Sequence, residues 1–118
     1  MEFEAVVFIE SEPFARYIQR HGLEGLLSML QDELMEDPTL GAVDPETGGL
    51  RKARMADPAR GIGKRGGFRV HYLWLPRRRH IHFMSIYSKR RQGALSPVEK
   101  RALRRLVEAF ESLPSHTT

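Results

Sequence analysis

Gly67-Phe68-Arg69-Val70-His71-Tyr72-Leu73-Trp74-Leu75, then Pro76-Arg77-Arg78-Arg79-His80, then Ile81-His82-Phe83-Met84-Ser85-Ile86-Tyr87 are the stretches that decide the fold. Both flanks are rich in β-branched and aromatic side chains, which suit a pleated, half-buried surface, and the Pro-led segment between them is short enough for a turn. The flanks therefore read as two antiparallel strands joined as a hairpin. Alternation along the first separates Phe68, Val70, Tyr72 and Trp74 from Arg69 and His71. If helices cover the apolar side, the other side is free to carry bases.

Working upstream, Leu50 to Met55 is a further strand candidate, with Lys52 and Arg54 on one side of it. The intervening Asp57 to Gly66 holds three glycines and a proline and is expected to be a mobile basic loop. Thr39 to Gly49, rich in Gly, Asp, Pro and Thr, reads as a connection. Before it, Leu23, Leu26, Leu27, Leu30 and Leu34 recur at three-and-four spacing, a helical stripe that Asp37-Pro38 stops. A shorter helix precedes that one: Ser11 caps it, Glu12 and Pro13 form its first turn, Phe14, Tyr17 and Ile18 point inward, and Gly22 ends it after His21. The two helices form a hairpin suited to covering one face of a sheet. Glu4 to Ile9 is an apolar run with the content of a first, buried strand.

Downstream, Ser96-Pro97-Val98-Glu99 is a capping box with Pro at the first helical position. Leu103, Leu106, Val107 and Phe110 form the stripe of the helix it opens, and Pro114 and a polar tail end the fold. The expected order is β-α-α-β-β-β-α in one α+β domain over 1–118: an antiparallel sheet, an N-terminal helical hairpin on one face and a C-terminal helix.

Composition bounds the function. The chain has 118 residues, 41% hydrophobic and 29% charged, as expected of a globular domain. With no Cys it offers no disulfide, zinc-thiolate site or thiol nucleophile. Met1-Glu2-Phe3-Glu4 is acidic where a signal peptide is basic, and no run approaches the ~18 apolar residues of a membrane span, so a cytoplasmic protein is expected. The net charge of +4 hides an asymmetry: residues 1–50 carry two bases against eleven acids, −9, and residues 51–118 carry seventeen bases against four acids, +13. Clustered Lys and Arg bind polyanions by releasing condensed counterions, which makes nucleic acid the expected partner; the bland alternative is a solvated basic surface.

Arg51, Lys52, Arg54, Lys64, Arg65, Arg69, Lys89, Arg90 and Arg91, with Tyr87 beside them, mix cation and aromatic near strand ends, a combination that grips single-stranded RNA. Tyr87 could equally be packing and Arg69 structural. His80 and His82 alternate on a strand, but three arginines adjoin them and no carboxylate does, so no metal site and no cofactor is expected. His21, His71 and His116 are no better as ligands; His71, beside Arg69, is the one to test as an acid. Gly61 to Gly67 lacks the order of a phosphate loop and enters a strand. What remains suits metal-free cleavage of RNA, in which the substrate's 2′-OH attacks the adjacent phosphorus and the protein supplies a base, cations and an acid.

Gly48-Gly49-Leu50-Arg51-Lys52-Ala53-Arg54, Gly63-Lys64-Arg65-Gly66-Gly67-Phe68-Arg69-Val70-His71-Tyr72, Ile86-Tyr87-Ser88-Lys89 and Leu95-Ser96-Pro97-x-Glu99-Lys100 together resemble the HigB-like branch of the RelE/ParE toxin superfamily, in order and spacing over nearly the whole chain. The resemblance implies a microbial-RNase-like (RelE-like) fold and the toxin of a type II toxin–antitoxin pair. Such a toxin is an mRNA interferase that cuts mRNA in the ribosomal A site, against 16S rRNA, and is neutralised by a cognate antitoxin protein. By motif position Lys52 and Arg54 would hold phosphate or act as base, Arg69 would stabilise the phosphorane, and Tyr87 would stack on or orient a base. Arg51, Lys64 and Lys89 would contact substrate or ribosomal RNA, or supply the acid. Where many relatives carry Asn and acidic residues after the YxK segment, this chain has Arg90-Arg91-Gln92-Gly93. Two other readings stay open: a ParE-like inhibitor of DNA gyrase, and a module whose basic face only docks nucleic acid.

Overall fold

The computed structural model describes residues 5–114. Glu4, with which the first strand was expected to begin, and His116 in the polar tail lie outside them. The elements are β1 (Val7–Glu10), α1 (Glu12–Arg20), α2 (Glu24–Glu36), β2 (Ala42–Val43), β3 (Arg51–Met55), a 3-10 turn (Pro58–Arg60), β4 (Phe68–Leu75), β5 (His80–Ser88) and α3 (Pro97–Ser112).

The class is α+β, and the sheet is mixed. Its order is β1-β5-β4-β3-β2: the last four strands form an antiparallel meander, and β1 joins its edge parallel to β5. This corrects the expected antiparallel sheet. The helices make the connection that separates β1 from β2. The chain leaves β1, crosses the sheet face through both helices and returns on the far edge as β2. The 13 residues of α2 extend roughly 20 Å at ~1.5 Å per residue, about the width of four strand spacings of ~4.8 Å. The second correction is β2 itself, two residues of an expected connection that pair with Lys52 and Arg51. A Cβ on Gly41 would lie 2.5 Å from the Lys52 carbonyl oxygen, so glycine is what lets the two backbones meet.

The helical ends obey local chemistry. Ser11 accepts the Phe14 N–H at 3.3 Å. Ser96 accepts the Glu99 N–H while the Glu99 carboxylate accepts the Ser96 N–H, completing the capping box. Phe14, Ile18, Leu23, Leu27, Leu30 and Leu34 bury the hairpin on Ala53, Met55, Phe68, Val70, Tyr72, Ile81 and Phe83. On the opposite face Val107, with Leu103 and Phe110, packs on Leu50, Leu73 and Met84. Leu106, placed in that stripe by spacing, is instead half exposed.

A bulge in β5 matters for the site. His71 pairs with Ser85 and Tyr72 with Phe83, so Met84 is an extra residue. It shifts the strand's alternation by one: Ile81, Phe83 and Ile86 face the hairpin, and Met84 lies in the cluster on the other side. Past the bulge, Tyr87 therefore shares the face of Arg69 and His71.

The expected basic loop is built into the fold. Asp57 and Ile62 form a bridge that encloses the 3-10 turn, and Lys64 Nζ pairs with Glu33 of α2 at 3.1 Å.

Candidate functional site

The face opposite the helical hairpin is divided. Half lies under α3; the other half carries the polar residues of β3, β4 and β5. Register places Arg54, Arg69 and Tyr87 side by side across three strands, and Lys52, His71 and Ser85 as the adjacent row. Four residues picked out by sequence, Lys52, Arg54, Arg69 and Tyr87, thus meet in one place.

Their exposure differs. Arg54 stands in solvent and Lys52 is half-buried. Arg69 is only 2% exposed, and its guanidinium is occupied: Nη1 donates to the Lys64 carbonyl at 3.0 Å, and Nη2 donates to the Arg65 carbonyl. Burial lowers its pKa, as does the neighbouring Arg54, but an arginine remains charged. Its positive charge therefore lies beneath the Arg54 row while its planar fork holds the turn before β4. Gly67 is required in that turn, because a Cβ there would overlap the Met55 carbonyl oxygen.

Tyr87 is 6% exposed, and burial, assisted by Asp44, pushes its pKa up. Its ring lies over His71 with centroids 5.9 Å apart. His71 is fully buried and its Nε2 is 2.8 Å from Asp44 Oδ2; Lys100 Nζ reaches Asp44 Oδ1 at 3.2 Å. Burial holds the imidazole below its ordinary pKa against the opposing pull of Asp44. Burial of Asp44 acts to raise its pKa, but the hydrogen bonds from His71 and Lys100 outweigh it and keep the carboxylate ionised. The consistent state is a neutral His71 donating its Nε2 proton, which leaves a lone pair on Nδ1. His71 Nδ1 and the Tyr87 hydroxyl are both buried and have no hydrogen-bond partner among the described residues. They form a polar floor beneath the two β3 cations.

The other expected contacts do not all join this face. Arg51 points to the hairpin side, where Nη1 donates to the carbonyls of Gly41 at 2.8 Å and Thr39 at 3.3 Å. Lys64 is tied to α2 through Glu33. Arg65, Lys89, Arg90 and Arg91 are exposed in the turns that flank the ends of β4 and β5. His82 packs on Phe110, ring centroids 4.6 Å apart. Among the described residues no group of three or more His, Cys, Asp or Glu side chains is placed to hold a metal ion, and no helix is long and apolar enough to cross a membrane.

Sequence reasoning missed Asp44 and Lys100. Asp44 stands in an irregular turn, shaped by Thr47, whose hydroxyl donates to the Asp44 carbonyl at 2.7 Å and accepts the Leu50 N–H. No periodicity marks such a position; an acidic residue in the turn before β3, whose partner strand β4 carries a histidine, was the one available signal. A scan against protein-family models finds none that matches the chain.

Proposed function

We propose that this chain is a RelE-like toxin of the HigB type, a ribosome-dependent mRNA endoribonuclease whose partners are mRNA, the ribosomal A site with its 16S rRNA, and a neutralising antitoxin. The observation that carries the reading is the convergence of Lys52, Arg54, Arg69 and Tyr87, with His71, on one half of the sheet face opposite the hairpin. The fold that accompanies this reading is the RelE-like arrangement of a helical hairpin, an antiparallel meander and a C-terminal helix.

The chemistry is transesterification. The 2′-oxygen loses its proton and bonds to phosphorus, the P–O5′ bond breaks, and O5′ takes up a proton, giving a 2′,3′-cyclic phosphate and a 5′-hydroxyl end. Lys52 and Arg54 are the cations of the face that reach solvent, so they hold the scissile phosphate, and the charge of Arg69 beneath them adds to the field on the phosphorane. Tyr87 and His71, buried beneath these cations, contribute an unpartnered hydroxyl and an unpartnered imidazole nitrogen, and with Lys52 they are the groups of this face proposed to move protons. Lys89 to Arg91 and Arg65, exposed at the strand ends, extend the basic surface along an RNA strand.

One observation favours a second reading. Arg69 and Tyr87 are 2% and 6% exposed, and Arg69 already has backbone acceptors, as expected if the face docks nucleic acid or a ParE-type target without cutting. Purified protein added to translating ribosomes with a defined mRNA, with new RNA ends mapped by primer extension, separates the two. Cuts at A-site codons that are absent from bare mRNA and lost in Arg54→Ala support cleavage. Growth arrest without cuts overturns it and leaves docking.

A further inference from the structure

At the end of the sheet where β4 begins and β5 stops, on the hairpin side, lies a cavity of about 370 Å³ between the α1–α2 corner and the 3-10 turn. One wall is aromatic: the rings of Tyr17 and His21 are 4.2 Å apart, and Phe68 meets Tyr17 edge-on at 6.2 Å. Asp57 forms part of the lining, 6% exposed, with its carboxylate 3.8 Å from Arg60 Nε. Arg60 and Arg91, both exposed, complete it. Tyr17 lies within the field of all three charges: burial raises its pKa, Arg91 and Arg60 lower it, and Asp57 raises it.

We propose that this cavity binds one nucleotide of a single-stranded RNA, with the base against the Tyr17–His21 rings and a phosphate on Arg60 and Arg91. The inference rests on RNA as the partner, but not on cleavage. The volume falls in the range of ~300 to 1,000 Å³ that holds small ligands, enough for one nucleotide. Aromatic walls take any base by its π-face, and arginines at a solvent edge take phosphate. The Asp57 carboxylate can only accept hydrogen bonds, so it suits the N–H edge of a base, with the phosphate held away from it on the exposed side of Arg60 and Arg91. Tyr87 and Ser88 of β5 also line the cavity, which lies at the end of the strand whose Tyr87 belongs to the Arg54 row on the opposite face.

The test is a titration of the 15N-labelled full chain, followed by amide shifts, with the four nucleoside 5′-monophosphates, a short single-stranded RNA and an acidic amphipathic peptide. Shifts at Gly22, Ala59 and Ser88 on adding nucleotide and RNA are expected. Arg91→Ala should remove them for monophosphates, Tyr17→Leu should weaken binding about tenfold, the loss of one base stack, and Tyr17→Phe should preserve it. Because Tyr17 also packs on Phe68, the exposed Arg91 provides the variant that leaves the core untouched. RNA shifts confined to β3 and β4 around Lys52 and Arg54 would overturn the cavity while leaving RNA as the partner. Silence everywhere would overturn both. Shifts at the cavity from the peptide but from no nucleotide would assign it to a protein partner and overturn the proposal.

Discussion

His71 Nε2 lies 2.8 Å from Asp44 Oδ2, joining the middle strand of the sheet to the turn between β2 and β3, 27 residues away in sequence. Lys100, one turn into α3, closes on the same carboxylate at 3.2 Å. Three separate elements thus meet at one buried anion. Through His71 the arrangement reaches the Tyr87 ring, so it bears on the candidate face as well as on stability.

This contact makes stability depend on pH. A histidine kept neutral by burial binds its proton less readily folded than unfolded. Stability is therefore full above the ordinary imidazole value of about 6.5 and falls as pH drops below it, because only the unfolded chain takes up the proton. His82, also held down by burial and by the nearby His80 and Arg78, acts in the same direction. Denaturant unfolding between pH 8 and 5 should show a slope that His71→Gln reduces by up to ~1.4 kcal/mol per pH unit, one proton's worth. Glutamine keeps a donor for Asp44 but does not titrate. An unchanged slope in that variant would show that the imidazole is not held neutral.

A second expectation separates Arg69 from Arg54. Arg69 bridges the carbonyls of Lys64 and Arg65 through two separate nitrogens, a spacing set by the planar fork and not reproduced by the shorter point-charge ammonium of lysine. Arg69→Lys should therefore behave nearly as Arg69→Ala: faster amide hydrogen exchange from Lys64 to Gly67, and, under the proposed function, loss of cleavage of about a hundredfold or more. Arg54→Ala, at an exposed site, should leave exchange in the turn unchanged and weaken RNA binding with a shallower salt dependence, by about one counterion. Wild-type exchange in Arg69→Ala would remove the anchoring role, and full toxicity of that variant would remove Arg69 from the site.

How much of this was legible in the sequence follows from the range of each interaction. The ends of α1 and α3 were readable because a cap involves residues three apart, as Ser96 and Glu99 do. The leucine stripe of α2 and the β4–β5 hairpin were readable for the same reason. The parallel pairing of β1 with β5 joins Val7 to His80, and nothing local to either strand encodes it. The Met84 bulge defeats a period-two reading of β5, so the face of Tyr87 could not be counted out from Ile81. Lys52, Arg54, Arg69 and Tyr87 were drawn by residue type and motif position as part of a larger set that also held Lys89, and register brings these four onto one face. Arg51 and Lys64 were drawn into the same basic set, yet the first bonds backbone on the hairpin side and the second pairs with Glu33. Charge count reports a cation's presence and not its partner.

The α3 cap carries a final expectation that reaches the site. Ser96 holds the first turn of α3, and Lys100 lies in the next turn, pinned by its bond to Asp44. Ser96→Ala should cost about 1 kcal/mol through the unpaired Glu99 N–H and the freed capping carboxylate. If that turn frays, Lys100 loses its fixed approach to Asp44, and one of the two hydrogen bonds that keep the carboxylate ionised weakens. The carboxyl pKa of Asp44, followed by 13C NMR, should then rise in Ser96→Ala toward the ordinary carboxylate value, and it should rise further in Lys100→Met, which removes the ammonium outright. A loss of stability in Ser96→Ala with no movement of the Asp44 carboxyl would confine the cap to its own helix and break the proposed link between α3 and the floor of the basic face.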